Sequence, residues 1–219
     1  MDQVSGVAPT ENASWTVMVY VDGDNNLASA AVDDINEMEG VVLPENVNVV
    51  TLTDLSGDYE TSAGWTDTRL GEISPDPNGY SWYGDAATIV SDLTSVGEKN
   101  MGDPNTLTDF INWSTTNHAA DNYALVLWDH GGGVSGIAWD DTDNHDNLSI
   151  TEIKSAINNS MVFSADNKLD LIGFDACLMQ TYEIGLEMAS LAEVMVASQE
   201  TEPGDGWDYE AFLNNLADN

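Results

Sequence analysis

The chain has 219 residues, 42% of them apolar, with seven Trp and seven Tyr; that is enough for one substantial core and too little for two complete domains. Against 39 acidic residues stand only Arg69, Lys99, Lys154 and Lys168, a formal net charge of −35, a field that excludes nucleic acid and anionic lipid as partners and draws in cationic ones. No run of 18 apolar residues occurs, and the polar lead-in, residues 1–14, lacks the apolar stretch of a signal peptide, so neither membrane insertion nor a leader is read from this chain.

Residues 15–21 (WTVMVYV) form an apolar, β-branched run ended by the turn-rich 22–26, which predicts a buried strand. Leu27, Ala30, Ala31, Ile35 and Met38 recur at helical spacing, with Gly40 as a stop. Residues 47–52 (VNVVTL) read as the next strand. Gly, Asp, Ser and Pro crowd 54–85, which predicts a long excursion carrying a hairpin around 65–73. Two helices are predicted over 86–98 and 105–118, the second introduced by Pro104 and Thr106. Strand 123–128 (YALVLW) then runs into Asp129, His130 and three glycines. Ser149 followed by Glu152 marks a capped helix start over 149–157. Strand 169–174 (LDLIGF) delivers Asp175, Ala176 and Cys177; helix 179–189, strand 193–197 (EVMVA) and an amphipathic segment over 209–216 complete the series. Strands alternating with helices predict an α/β fold: a mostly parallel sheet with helices on both faces, as one domain over 15–219. In such a sheet the C-terminal strand ends form the working edge.

His130 and Cys177 each fall just beyond such a strand end, one crossover apart, so neighbouring parallel strands would bring them together. A thiolate attacks a carbonyl far better than a thiol, and an adjacent imidazole can take the proton. The oxyanion then formed needs backbone donors. Gly131 offers one without a side chain in the way, and Cys177 offers its own N–H if the chain turns there toward the helix at Met179. The lone cysteine permits no intrachain disulfide. Other readings are weaker. HGGG also occurs in esterase oxyanion loops, but no Gly-x-Ser-x-Gly accompanies it: Ile137 stands two residues after Ser135. Asp22, Asp24 and Asn26 imitate the start of an EF-hand loop, yet Leu27 replaces its glycine and Asp33 its bidentate glutamate. Zinc has no ligand spacing, so no metal residues are assigned; calcium elsewhere on the acidic surface stays open. His118 reads as a helix-end cap and His145 as solvated.

Six segments in order carry a family resemblance: WTVMVYVDGDNNL (15–27), LWDHGGG (127–133), GIAWDD (136–141), LSITEI (148–153), IGFDACLM (172–179) and ASQETEPGDGWDY (197–209). Together they resemble clostripain-type cysteine peptidases. The resemblance implies a caspase-like three-layer sandwich, a Cys-His dyad acting through a thioester, and cleavage of proteins or peptides after basic residues. It makes His130 the catalytic histidine, Cys177 the nucleophile, Asp175 an acid lining the pocket for a basic side chain, and Asp205 a second one. Paired carboxylates bind guanidinium bidentately, so Arg is expected over Lys. No cofactor is implied as required, although some relatives are activated by calcium, and a secreted or cell-surface setting is favoured. Relatives often cut themselves between the histidine and cysteine segments; residues 140–153 hold no Lys or Arg, so no cut is expected there. Relatives also continue past the point where this chain stops, which leaves the domain open to being C-terminally incomplete. The alternative reading is a non-catalytic caspase-like binding module of a longer surface or secreted protein. The charge further implies a salt-adapted protein whose melting temperature rises with NaCl, since about 0.1 M salt screens repulsion beyond about 10 Å.

Overall fold

The computed structural model describes residues 13–59, 61–76 and 89–217. In chain order these form β1 (Ala13–Gly23), α1 (Ala28–Glu39), β2 (Val47–Leu55), β3 (Arg69–Glu72), β4 (Thr94–Ser95), α2 (Pro104–Asn117), β5 (Ala120–Trp128), β6 (Ile137–Asp140), β7 (Asp146–Leu148), α3 (Ile150–Asn159), β8 (Leu169–Asp175), α4 (Tyr182–Met188), β9 (Ala192–Val196) and α5 (Tyr209–Ala217). Seven strands make one sheet in the order β4-β3-β2-β1-β5-β8-β9. The pairs β2·β1, β1·β5, β5·β8 and β8·β9 are parallel, and β3 and β4 add an antiparallel edge.

The continuous apolar runs of β1, β5 and β8 follow from burial on both faces. Met18, Tyr20, Leu125, Leu127, Ile172 and Phe174 pack on one face against Leu107 and Phe110 of α2, Ile153 of α3 and Ile184 of α4. Val17, Val19, Val21, Val126 and Trp128 pack on the other against Ala31 and Ile35 of α1 and Leu213 of α5. Alternate residues of a strand thus feed opposite cores, and helices cover both. Helix starts are built as their sequences imply. Asp103 caps α2, accepting the Asn105 N–H at 2.8 Å ahead of Pro104, while Ser149 and Glu152 form a reciprocal capping box on α3.

Several expectations are corrected. No helix occupies 89–98; that stretch holds the short strand β4, and residues 86–88 lie outside those described. Residues 65–73 are not a hairpin of their own: Arg69–Glu72 is a single strand lying between β2 and β4. The first strand starts at Ala13 rather than at 15, and the rest of the polar lead-in lies outside the described residues. The helix expected from 179 begins at Tyr182, because Thr181 caps it by accepting the Ile184 N–H at 3.3 Å. Cys177 therefore stands in a loop, not at a helix N-terminus. A two-stranded antiparallel pair, β6 and β7, lies in the long crossover between β5 and α3.

Candidate active site

β5 and β8 are parallel neighbours, and their register sets Trp128 opposite Asp175. The ladder is extended by the Asp129 N–H donating to Asp175 O at 3.3 Å. His130 and Cys177 each follow two residues after that matched pair, so they leave the sheet side by side at its C-terminal edge. Both line one cavity of about 160 Å³, together with Leu27, Asp175, Glu202 and Pro203. Gly131 lies against the cysteine backbone: a Cβ there would stand 2.0 Å from Cys177 O and 2.8 Å from Cys177 N. Only glycine tolerates that approach. Neither the Gly131 nor the Cys177 N–H donates to another protein group among the described residues, which leaves both as free donors.

The loop after β8 is held in an unusual shape. Leu178 has φ 65, a left-handed conformation that costs a β-carbon-bearing residue about 1–2 kcal/mol. Its N–H donates to Glu200 O at 2.9 Å, and Gln180 N–H to Ser198 O at 2.7 Å. The 198–202 segment is thus tied alongside the cysteine loop, and the Glu202 N–H reaches Cys177 Sγ at 3.2 Å. On the other side, His130 Nε2 meets Asn26 Oδ1 at 3.0 Å. Burial pushes the His130 pKa below its ordinary value, opposed in part by the Asp141 charge, so the ring is neutral near pH 7 and able to accept a proton.

The cavity wall is acidic. Asp175 is buried and accepts the Trp207 N–H at 3.2 Å and the Tyr209 hydroxyl at 3.0 Å on Oδ2. Desolvation raises its pKa to about 6 against those two donors, with the Glu202 charge adding to the rise. Asp34 of α1 stands behind it and takes the Trp128 indole N–H at 2.5 Å. Desolvation first, then Asp175, lifts Asp34 to about 9. Gly206 passes close to both: a Cβ there would meet an oxygen of each at 3.1 Å. Asp205 is exposed and is not among the cavity-lining residues. Its charge is felt instead by Asp33. The carboxyl group beside Asp175 is that of Asp34, which like Asp205 is not among the residues that line the cavity.

The remaining sequence candidates disperse. His118 closes α2, its N–H donating to Ser114 O. His145 pairs with Asp141 at 2.7 Å in the exposed β6–β7 turn. Asp24, Asp54 and Glu98 bring ligand oxygens within 4.8 Å of one another, and Asp24 Oδ1 and Asp54 Oδ2 are buried without a partner among the described residues. Oxygen-only carboxylate donors of this kind fit a hard divalent cation such as calcium. Sequence reasoning missed Asn26, Asp34 and Glu202. Asn26 was visible as part of a turn-rich run, but nothing in a turn signal says that its amide faces a histidine 104 positions away. Asp34 reads as the polar side of a helix until the neighbouring strand is in place.

Residues 19–219 match the model of the clostripain family. The chain is 31% identical over 235 aligned positions to clostripain of Hathewaya histolytica, covering 94% of this chain and 43% of that protein. Its fold resembles a secreted C11 cysteine protease from Bacteroides thetaiotaomicron in complex with an irreversible peptide inhibitor, at 24% identity and TM-score 0.73, over 93% of this chain and 54% of that one. It also resembles an inactive zymogen C11 protease from Parabacteroides distasonis, at 25% identity and TM-score 0.69, over 96% of this chain and 55% of that one. The chain spans about half the length of these relatives. The mostly parallel seven-stranded sheet is the one expected of a caspase-like sandwich, and with the family model matched over residues 19–219 the chain belongs to the clostripain family.

Proposed function

We propose that residues 15–219 form the peptidase domain of a cysteine endopeptidase that hydrolyses bonds after Arg, and less readily after Lys. The observation that carries this reading is the matched end of β5 and β8, which sets His130 and Cys177 in one cavity with the buried Asp175. Cys177 Sγ attacks the scissile carbonyl carbon while His130 accepts the thiol proton. The oxyanion is received by the N–H groups of Gly131 and Cys177, and the His130 proton passes to the leaving amine as the C–N bond breaks. Water, deprotonated by His130, then attacks the thioester and releases Sγ. The reaction uses protein groups and water alone. A guanidinium entering the cavity faces Asp175 with Asp34 behind it, and no Lys or Arg lines the wall among the described residues. Its planar fork suits a carboxylate better than the point charge of Lys.

Family membership and the acidic surface support substrates that are peptides or proteins with basic residues and a secreted or cell-surface setting; among the described residues no helix is long and apolar enough to cross a membrane. A fluorogenic Arg-amide assay of this chain tests the reading. Turnover is expected to fall at least about 1,000-fold in Cys177→Ala and to be lost after iodoacetamide treatment. Equal turnover in the parent and in Cys177→Ala ends the peptidase reading, and no turnover in either favours the binding-module alternative.

A further inference from the structure

Negative charge appears on Cys177 Sγ twice in the proposed reaction: when His130 takes the thiol proton, and again when the C–S bond of the thioester breaks with its electron pair on sulfur. A thiolate is ordinarily held by a helix N-terminus or by a nearby cation. Cys177 has neither. Helix α4 does not begin until Tyr182. No Lys or Arg lines the cavity among the described residues, and the acids on its wall, Asp175 and Glu202 among them, bear the wrong sign. One donor does face the sulfur. The Glu202 N–H lies 3.2 Å from Cys177 Sγ and gives the one hydrogen bond that the sulfur accepts among the described residues. Two features aim it. Leu178 N–H donates to Glu200 O at 2.9 Å and Gln180 N–H to Ser198 O at 2.7 Å, so the segment runs beside the cysteine loop. Pro203 follows directly; its ring favours extended backbone at Glu202, and it has no N–H of its own to compete.

We propose that the Glu202 backbone N–H is a catalytic donor that stabilises the Cys177 thiolate. The proposal rests on Cys177 being the nucleophile of the peptidase reading, but on no particular substrate. Donors are then divided between the two reacting atoms. As Sγ bonds to the carbonyl carbon, its charge passes to the oxygen and to the N–H groups of Gly131 and Cys177. When the thioester breaks, the electron pair returns to sulfur, the Glu202 N–H receives it, and the proton that His130 took from water ends on the thiol. Glu202 acts in two opposite senses. Its N–H favours charge on the sulfur, while its carboxylate, which lines the same cavity and accepts no hydrogen bond among the described residues, opposes it. The donor is a main-chain group, so no side-chain pattern in the sequence reports it.

Glu202→Ala and Glu202→Pro both lose the carboxylate, and only the second loses the N–H. Cys177 is partly exposed, so its alkylation by iodoacetamide at about pH 7, followed by mass, reads the thiolate without any substrate. Glu202→Ala should react about two- to threefold faster than the parent, and Glu202→Pro at least about tenfold slower than Glu202→Ala, the range of a hydrogen bond to a charged group. Equal rates in the two variants overturn the proposal. Because proline can disturb the loop, a second measurement leaves residue 202 intact: hydrogen exchange of the Glu202 amide, followed by NMR in the parent and in Cys177→Ala. Exchange should be at least about tenfold faster once the sulfur acceptor is gone, and an unchanged rate overturns the proposal as well. A parent that shows both differences yet hydrolyses no Arg-amide upholds the thiolate donor while the peptidase reading falls, so the two failures are told apart.

Discussion

His130 Nε2 stands 3.0 Å from Asn26 Oδ1, and the residue before each is joined as well, Asn25 Nδ2 donating to Asp129 Oδ1 at 2.7 Å. Two consecutive residues of the β1–α1 turn thus hold two consecutive residues beyond β5. With the amide oxygen facing the ring, Nε2 carries the proton and Nδ1 remains as the basic nitrogen. Asn26 positions the imidazole rather than reacting. Asn26→Ala should lower kcat about tenfold with KM nearly unchanged, because ring orientation matters in the transition state more than in substrate binding. Steady-state kinetics on an Arg-amide substrate checks this. An unchanged kcat, or a loss confined to KM, would remove the positioning role.

Asp34 and Asp175 make stability depend on pH in a defined direction. Both have folded pKa values raised above the ordinary 3.8, to about 9 and about 6. The folded chain therefore holds protons that the unfolded chain has released, and stability falls as pH rises from about 4 through those values. Asp34→Asn removes the larger part of that slope while keeping an oxygen for the Trp128 indole. Its melting temperature should exceed the parent's by about 5 °C or more at pH 8 and differ little at pH 4. Melting curves at the two pH values decide it, and a gain equal at both would exclude titration as the cause.

Asp175 also carries a prediction about substrate choice. Its carboxyl is protonated below about pH 6 and then cannot pair with a guanidinium. The ratio of kcat/KM for an Arg substrate to that for its norleucine counterpart should rise through about pH 6, a comparison that cancels any titration of His130 common to both. Asp175→Asn should flatten the ratio and lower the Arg preference about 10- to 100-fold, the range of a charge-assisted hydrogen bond. A ratio independent of pH in the parent would place the guanidinium site elsewhere.

The strands that position the site were legible because burial on both faces leaves an apolar run that needs no partner to be recognised: residues 123–128 and 169–174 lie within β5 and β8. Their adjacency was legible too, since sheet strands that follow one another through a single crossover tend to lie side by side. The excursion after β2 was not. Arg69–Glu72 and Thr94–Ser95 are short edge strands of mixed polarity, and their pairing comes from the sheet rather than from local preference. Helix α4 illustrates a different failure. Residues 179–181 share the helical periodicity, but Gln180 N–H is taken by Ser198 O, so the chain stays outside the helix through Thr181. Asp205 and Asp34 show the same limit at the site. Sequence order reports which acids are present, while burial and a neighbouring helix decide which one stands beside Asp175.

Gly131 offers the sharpest steric test of the proposed oxyanion site. Alanine there puts a Cβ 2.0 Å from Cys177 O and 2.8 Å from Cys177 N, inside any van der Waals contact, and both neighbours are backbone atoms that cannot rotate away. The two loops must separate for the methyl group to fit, which moves the Gly131 and Cys177 N–H groups off a common target. Gly131→Ala should lower kcat at least about 100-fold, in line with losing an oxyanion donor, and lower Tm as well. Gly185→Ala is the matched control, because a Cβ at that position meets nothing within 4 Å; it should keep parent activity. If Gly131→Ala retained parent kcat while folding normally, the loops would not need their close approach and the oxyanion assignment would fail.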